Sequence, residues 1–268
     1  MSITEFGGPS PKEMGIEPKE TEAKKFVHLT RVEIESKLGA KENLENLDLS
    51  ELDLAGLVLE GVSFHGSDLR GTVFFHKESE DGSDPEIKTS IKGADFTEAV
   101  FATYDRKPAF VRVEAEGAKF GYTESLLARL RRYEESGKPK TAEDSGGLFN
   151  FNGCEGNFQR TNWVNIDFGG DSGFGATFYG ADFSGAVIDG CDLSGIDLSE
   201  TIIDNIKIIN PVISSEGFMI TEEQVETIVA AISFTDNRKD IWEEAKKKNG
   251  SRELLENILG IAIVIEVE

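Results

Sequence analysis

Aspartate recurs through this chain at multiples of five. Asp48, Asp53 and Asp68 stand in the first half, then Asp95, and in the second half Asp167, Asp182, Asp192 and Asp197, with Asn162 in the same phase. Paired carboxylates are the usual material of acid–base catalysis. Here their spacing is that of a repeat, so their abundance is weak evidence for an enzyme. The other reactive groups are sparse. His28, His65 and His76 are scattered, and none stands at metal-ligand spacing from a cysteine or another histidine. Cys154 and Cys191 make no disulfide framework. Gly169-Gly170-Asp171-Ser172-Gly173 is glycine-rich, but it is not set between a strand and a helix as a phosphate loop is. No catalytic residue, metal site or cofactor is expected.

The carboxylates belong to a longer pattern. A large apolar residue follows each of them, at Leu44, Leu49, Leu54, Leu59, Phe64, Leu69 and Phe74. The series resumes at Phe158, Trp163 and Phe168, passes Gly173, and runs through Phe178, Phe183, Ile188, Leu193, Leu198, Ile203, Ile208 and Ile213. Two positions before the large residue stands a small or aliphatic one, as in Ala94, Ala118, Ala181, Ala186 and Cys191. A period of five fits neither a helix nor a flat strand. It requires a solenoid that stacks like residues on like. Cys191 then reads as a small inward hydrophobe. Gly173 and Gly153 would leave holes in the column of large residues, which bulky Trp163 could fill.

The copies Gly93-Ala94-Asp95-Phe96, Gly180-Ala181-Asp182-Phe183 and Cys191-Asp192-Leu193 make the chain resemble the pentapeptide-repeat family, whose pattern is A-(D/N)-L-x-x. The resemblance covers residues 42–74 and 147–215, with isolated copies at 94–98, 99–103 and 118–122. It implies a mainly β fold, a right-handed quadrilateral β-helix of four pentapeptides per coil. Its core residues would include Leu49, Leu54, Leu59, Phe64, Leu69, Phe178, Phe183, Leu193 and Leu198. In the family such coils carry helical caps, and some members mimic duplex DNA and bind DNA gyrase.

Around the solenoid, residues 1–29 read as a polar arm. Thr30-Arg31-Val32-Glu33 is a capping box that opens a short helix over 30–40, which would close the first coil. The solenoid spans 41–218, with interruptions expected at 75–92, 104–116 and 122–146. The last contains a predicted helix, Thr123 to Glu135, where Leu126, Leu130 and Tyr133 form an apolar stripe beside Arg129, Arg131 and Arg132. Residues 219–268 read as helices and a terminal strand. Thr221 to Gln224 is a second capping box, and helices are predicted to about Ile232, over Asn237–Lys248 and over Ser251–Leu259. The run from Ile261 to Val267 has β character and would invite pairing at an exposed edge.

The net charge is −22, spread over the repeat blocks and the C-terminal part, so direct binding to nucleic acid or an anionic membrane is not expected. No apolar run reaches the length of a membrane helix, no secretory leader is legible, and a reducing cytoplasm is the expected location. These features point to a non-enzymatic scaffold for protein–protein contact. Its expected contact residues are Arg129, Arg131, Arg132 and Tyr133, three cations and an aromatic on an acidic chain. The C-terminal helices or terminal strand are where two copies would pair. Two other readings are an acidic DNA mimic that binds gyrase or another topoisomerase, and a particle subunit or secreted bacterial effector that acts by recruitment.

Overall fold

The computed structural model describes residues 27–74, 89–100, 110, 113–124, 128, 156–166, 168, 176, 178–213, 218–259 and 262–264. The chain winds as a parallel β-solenoid of about six turns with a few helices. Its strands are β1 (Val27–His28), β2 (Leu47–Asp48), β3 (Asp95–Thr97), β4 (Lys119–Gly121), β5 (Asn162–Val164), β6 (Val187–Asp189), β7 (Lys207–Ile209), β8 (Met219–Thr221), β9 (Ile232–Ser233) and β10 (Ala262–Val264). The helices are α1 (Arg31–Gly39), α2 (Val225–Ala231), α3 (Arg238–Lys248) and α4 (Ser251–Ile258).

Each pentapeptide makes one side of a coil, and we number the sides in chain order from Leu44. The first side holds β3–β4–β5–β6–β7–β9, all parallel. On the fourth side, bridges run Val58 to Ser90, Glu114, Asn157, Asp182 and Ile202. The second side aligns β1 and β2, then Asp68 and Val100, and later Asp192 and Val212. The third aligns Asp53 with Val73, then Asp197 with β8 and finally β10.

Corners repeat one design. At most corners the N–H three residues after the large residue donates back to that residue's carbonyl, as Ser67 does to Phe64 (3.0 Å) and Ala186 to Phe183 (2.9 Å), while after Leu44 and Trp163 it goes instead to Ser67 Oγ and Cys191 Sγ. At most corners the residue two after the large one takes a positive φ, which favours glycine or asparagine; Tyr122 and Glu200 do not. Gly66 (φ +66°) shows a second reason for glycine: a Cβ there would lie 2.8 Å from Asn46 Oδ1 of the preceding coil.

Inside, like residues stack. Leu49, Leu54, Leu59, Phe64, Leu69, Phe178, Phe183, Leu193 and Leu198 are all buried. On the first side Phe64, Phe96, Phe120 and Trp163 form one column of parallel rings with successive centroids 4.7, 5.0 and 4.1 Å apart. Trp163 is therefore the end of an aromatic stack, with its indole N–H donating to Thr161 Oγ1 (2.7 Å). Gly153 and Gly173, the expected holes, lie outside the described residues. Cys191 is fully buried and unbonded to sulfur.

Three expectations shift. Ser90 pairs on the fourth side and Ile91 is buried, so the solenoid resumes before residue 92. Phe110 stacks on Phe74 (4.4 Å) and Glu114 pairs with both Ser90 and Asn157, so Phe110 and residues 113–116 belong to the solenoid, disguised because Ala115 fills the large position. Asn157 pairs with Asp182, five residues beyond a twenty-residue coil, so one extra pentapeptide precedes Phe178. An insertion of five keeps the period while moving everything upstream by one side.

Both ends are capped. At the N-terminal end the capping box forms, with Thr30 N–H donating to Glu33 Oε2 (2.7 Å), and Ile34 plugs the core. Arg31 donates to the open carbonyls of Asp53 (2.8 Å) and Ala55 (3.0 Å) on the first coil. At the other end α2 starts at Val225, later than expected, because Thr221 still belongs to β8. The reciprocal half of the predicted box is kept, as Thr221 N–H donates to Gln224 Oε1 (2.9 Å). Gln224 Nε2 donates to Leu198 and Thr201 carbonyls (2.9 Å each), which replaces the coil that would have followed. Residues from the terminal run form β10, which pairs with β8 of the same chain. Among the described residues no helix is long and apolar enough to cross a membrane.

Phe96 has parallel rings on both sides, so Phe96→Ala should cost about 3–5 kcal/mol of stability. Urea denaturation followed by far-UV circular dichroism checks it, with Val58→Ala as a control: its side chain is 71% exposed and should change stability by less than about 0.5 kcal/mol.

Candidate interaction surfaces

The recurrent carboxylates have a local job. Asp48 Oδ1 accepts from the N–H (3.1 Å) and hydroxyl (2.6 Å) of Ser50. The same two-residue bridge joins Asp53 to Ala55, Asp68 to Arg70, Asp95 to Thr97, Asp182 to Ser184, Asp192 to Ser194 and Asp197 to Ser199. Asn157 makes it to Gln159 with its amide oxygen. These are Asx turns, and they explain why Asp and Asn alternate at this position: only the acceptor oxygen is needed.

Partial burial acts to raise Asp48, Asp95 and Asp182. Hydrogen bonds from Ser50, Thr97 and Ser184 outweigh it and hold each carboxyl below its usual range, with help from His28, from Lys119 and from Gln159 respectively. A general acid needs the opposite shift. Among the described residues no group of His, Cys, Asp or Glu could hold a metal ion.

A depressed pKa adds stability above the unfolded-state value and loses it as pH falls through the folded one. The triple variant Asp48→Asn, Asp95→Asn, Asp182→Asn keeps the acceptors and removes the titration. Its urea midpoint should fall less than that of the parent between about pH 5 and pH 3. An unchanged acid limb would show that the three carboxylates do not carry it.

The fourth and first sides pair their own polar groups. On the fourth, Ser90 donates to Glu60 (2.6 Å), Asn157 to Glu114 (3.0 Å), Lys92 lies 3.8 Å from Glu114, and Arg160 pairs with Glu116. On the first, Lys119 lies 3.9 Å from Asp95. Acids are spread over all four sides: Asp95 on the first, Asp48 and Asp192 on the second, Asp53 and Asp197 on the third, Glu114 and Asp182 on the fourth.

The interruptions are not spread. The run from the fourth side through the first to the start of the second is unbroken in every coil, at 58–70, 89–100, 113–124, 157–166 and 182–193. Against five residues per side, the register of the described residues leaves extra residues between Val100 and Phe110, Glu124 and Asn157, Phe168 and Phe178, and Val212 and Met219, all after the second side, and between Phe74 and Ser90, after the third. The root of the longest interruption is fixed. Tyr122 Oη donates to the Ala99 carbonyl (2.7 Å), and Thr123 gives both its N–H (2.6 Å) and its hydroxyl (2.8 Å) to Glu98 Oε1. Arg129, Arg131, Arg132 and Tyr133 follow that root and lie outside the described residues, as do Cys154, Asp171 and His76. Sequence reasoning missed this segregation, because it is visible only once each pentapeptide is assigned a side.

Comparison with known proteins gives the following. The Pentapeptide repeats pattern matches in 8 copies, over residues 43–74 and 174–205. No curated protein matches the chain. Full-length QnrB1, a plasmid-mediated fluoroquinolone resistance protein, is similar at 13% identity over 81% of this chain and 93% of its own, with a TM-score of 0.31. A trypsin-treated variant of QnrB1 is 16% identical over 80% and 73%, with a TM-score of 0.27. HetL of the cyanobacterium Nostoc sp. strain PCC 7120, a pentapeptide-repeat protein involved in heterocyst differentiation regulation, is 14% identical over 67% and 77%, with a TM-score of 0.22. Scores this low leave the family to be decided by the repeat itself. Its copies build the coils that these hydrogen bonds and ring stacks hold in register, and the chain carries pentapeptide repeats over residues 43–74 and 174–205.

Proposed function

We propose that the chain is a non-enzymatic scaffold for protein–protein contact, and that it binds with the side of the solenoid that bears the interruptions. One observation carries this: among the described residues, those in excess of five per side fall after the second or third side, while the fourth and first keep their register from coil to coil. Insertions in a repeat protein gather on one face, and that face is often the binding one. Arg129, Arg131, Arg132 and Tyr133 belong to the longest interruption and would supply cations and an aromatic, the residue types enriched at hot spots. The carboxylates support the reading too, since Asx turns already occupy them. The buried thiol of Cys191 suits the reducing cytoplasm expected for the protein. If two copies associate, the unpaired edge of β10 and the helices α3 and α4 are the elements they would use.

A mimic of duplex DNA is the less supported reading. It needs acid concentrated along one surface, whereas here acids occupy all four sides and Lys119, Lys92 and Arg160 stand among them.

Affinity for a partner captured from the source cells tests the proposal. Charge reversal at Arg129, Arg131 and Arg132 should weaken it by about tenfold or more, while Lys119→Glu and Lys207→Glu on the first side should change it by less than about threefold. Equal effects, or none from the arginines, would sink it. In a gyrase supercoiling assay the protein is expected to neither inhibit nor protect from a quinolone, and either activity would favour the mimic.

A further inference from the structure

We propose that the corner between the third and fourth sides, over the last three coils, docks a basic amphipathic segment of a partner protein. Three large apolar side chains are exposed there: Tyr179 by 63%, Ile202 by 51% and Met219 by 36%. The register brings them together. Gly180 N–H donates to the Glu200 carbonyl (2.9 Å), which sets Tyr179 one coil from Ser199. Ile202 bridges to Asp182, and Met219 to Asp197. Coils repeat every ~4.8 Å, so the three residues surround Glu200 on one small surface. Single exposed apolar residues are ordinary, but a group rimmed by polar ones marks a contact surface.

The rim decides the chemistry of the occupant. It is made of Asp182, Asp197, Glu200 and Asp204, all acidic. Asp197 spends one oxygen on its Asx turn, Asp182 spends one on its turn and accepts from Gln159 with the other (2.5 Å), and Glu200 and Asp204 make no side-chain ion pair among the described residues. Arg252 of α4, which reaches the turn after β8, is divided between Glu222 (2.7 Å) and Glu256 (3.1 Å). An apolar centre with an anionic rim fits a segment with Leu- or Ile-like side chains flanked by Lys or Arg, whose methylene stems also cover apolar surface. A second copy fits less well. Its lysine run at the end of α3 already pairs Lys246 with Glu243 and Lys248 with Glu244.

The corner is also held ready. Gln224 braces its carbonyls from beneath, and Glu200, unlike Gly180 one coil earlier, has no positive φ. A fixed surface loses little freedom on binding. The corner's residues are distinct from Arg129, Arg131, Arg132 and Tyr133, so it is tested separately from the binding role given to them.

Titration of a fluorescent amphipathic peptide of leucine and lysine at helical spacing into the full chain, at physiological salt, tests the proposal. The expected result is saturable binding that Glu200→Lys and the pair Tyr179→Ser, Ile202→Thr each weaken by about tenfold. Glu45→Lys on the first coil, an equal change of charge, should alter it by less than about twofold. Equal losses from Glu200→Lys and Glu45→Lys would mean diffuse attraction to an acidic protein and would overturn the proposal. So would equal binding of a glutamate version of the peptide. A dimer in sedimentation that Tyr179→Ser dissociates would make a second copy the occupant and overturn it as well. All these side chains are exposed, so folding survives their replacement, and circular dichroism confirms it.

Discussion

Everything in this molecule depends on one constraint: each coil must offer the next a backbone ladder in register. Parallel hydrogen bonds fix like positions over like, so a large residue meets a large one and a corner meets a corner. The turn bond at each corner and the Asx bridge before it hold the pentapeptide in shape while the ladder forms. From that follow the buried column of Leu and Phe, the ring stack from Phe64 to Trp163, and the positive φ at Asn46, Gly66 and their equivalents. Sequence enters as a set of local choices that agree with one another, and agreement across levels gives a single native state.

The same constraint explains where elaboration is allowed. A coil can tolerate a loop at one corner if the other sides keep their ladders, because loop-closure entropy grows slowly with length. Once the fourth and first sides are kept intact, interruptions of very different lengths can leave from the second and third without disturbing the core. The molecule is therefore divided by role. One half keeps its ladders from coil to coil, and the other half is where the chain length varies.

Much of this was legible in the sequence, and the failures are instructive. The period of five betrayed the solenoid, and the Asp or Asn before each large residue could have been read as an Asx turn. The capping box at Thr30 was visible because its partners are three residues apart. Ser90–Ile91 and Val113–Ala115 are hidden because they stand in short stretches out of phase with the long blocks, and Ala115 takes the place of a large residue. The extra pentapeptide before Phe178 was invisible in principle, since inserting one whole period leaves the period unchanged; only the pairing of Asn157 with Asp182 reveals it. Gln224 looked like half of a helix cap, but its amide also reaches back to carbonyls more than twenty residues away. The expected contact residues around Arg129 were chosen by composition, which no ladder constrains.

Arg31 has a meaning beyond the first coil. The end of a parallel solenoid is chemically identical to its interior, so any bare end is a seed on which another molecule could wind, and growth would not stop at two. One guanidinium on the carbonyls of Asp53 and Ala55, set there by a helix that starts with its own cap, makes that end unlike every rung inside. The rod is finite because its first turn is finished with a charge that no incoming strand can match.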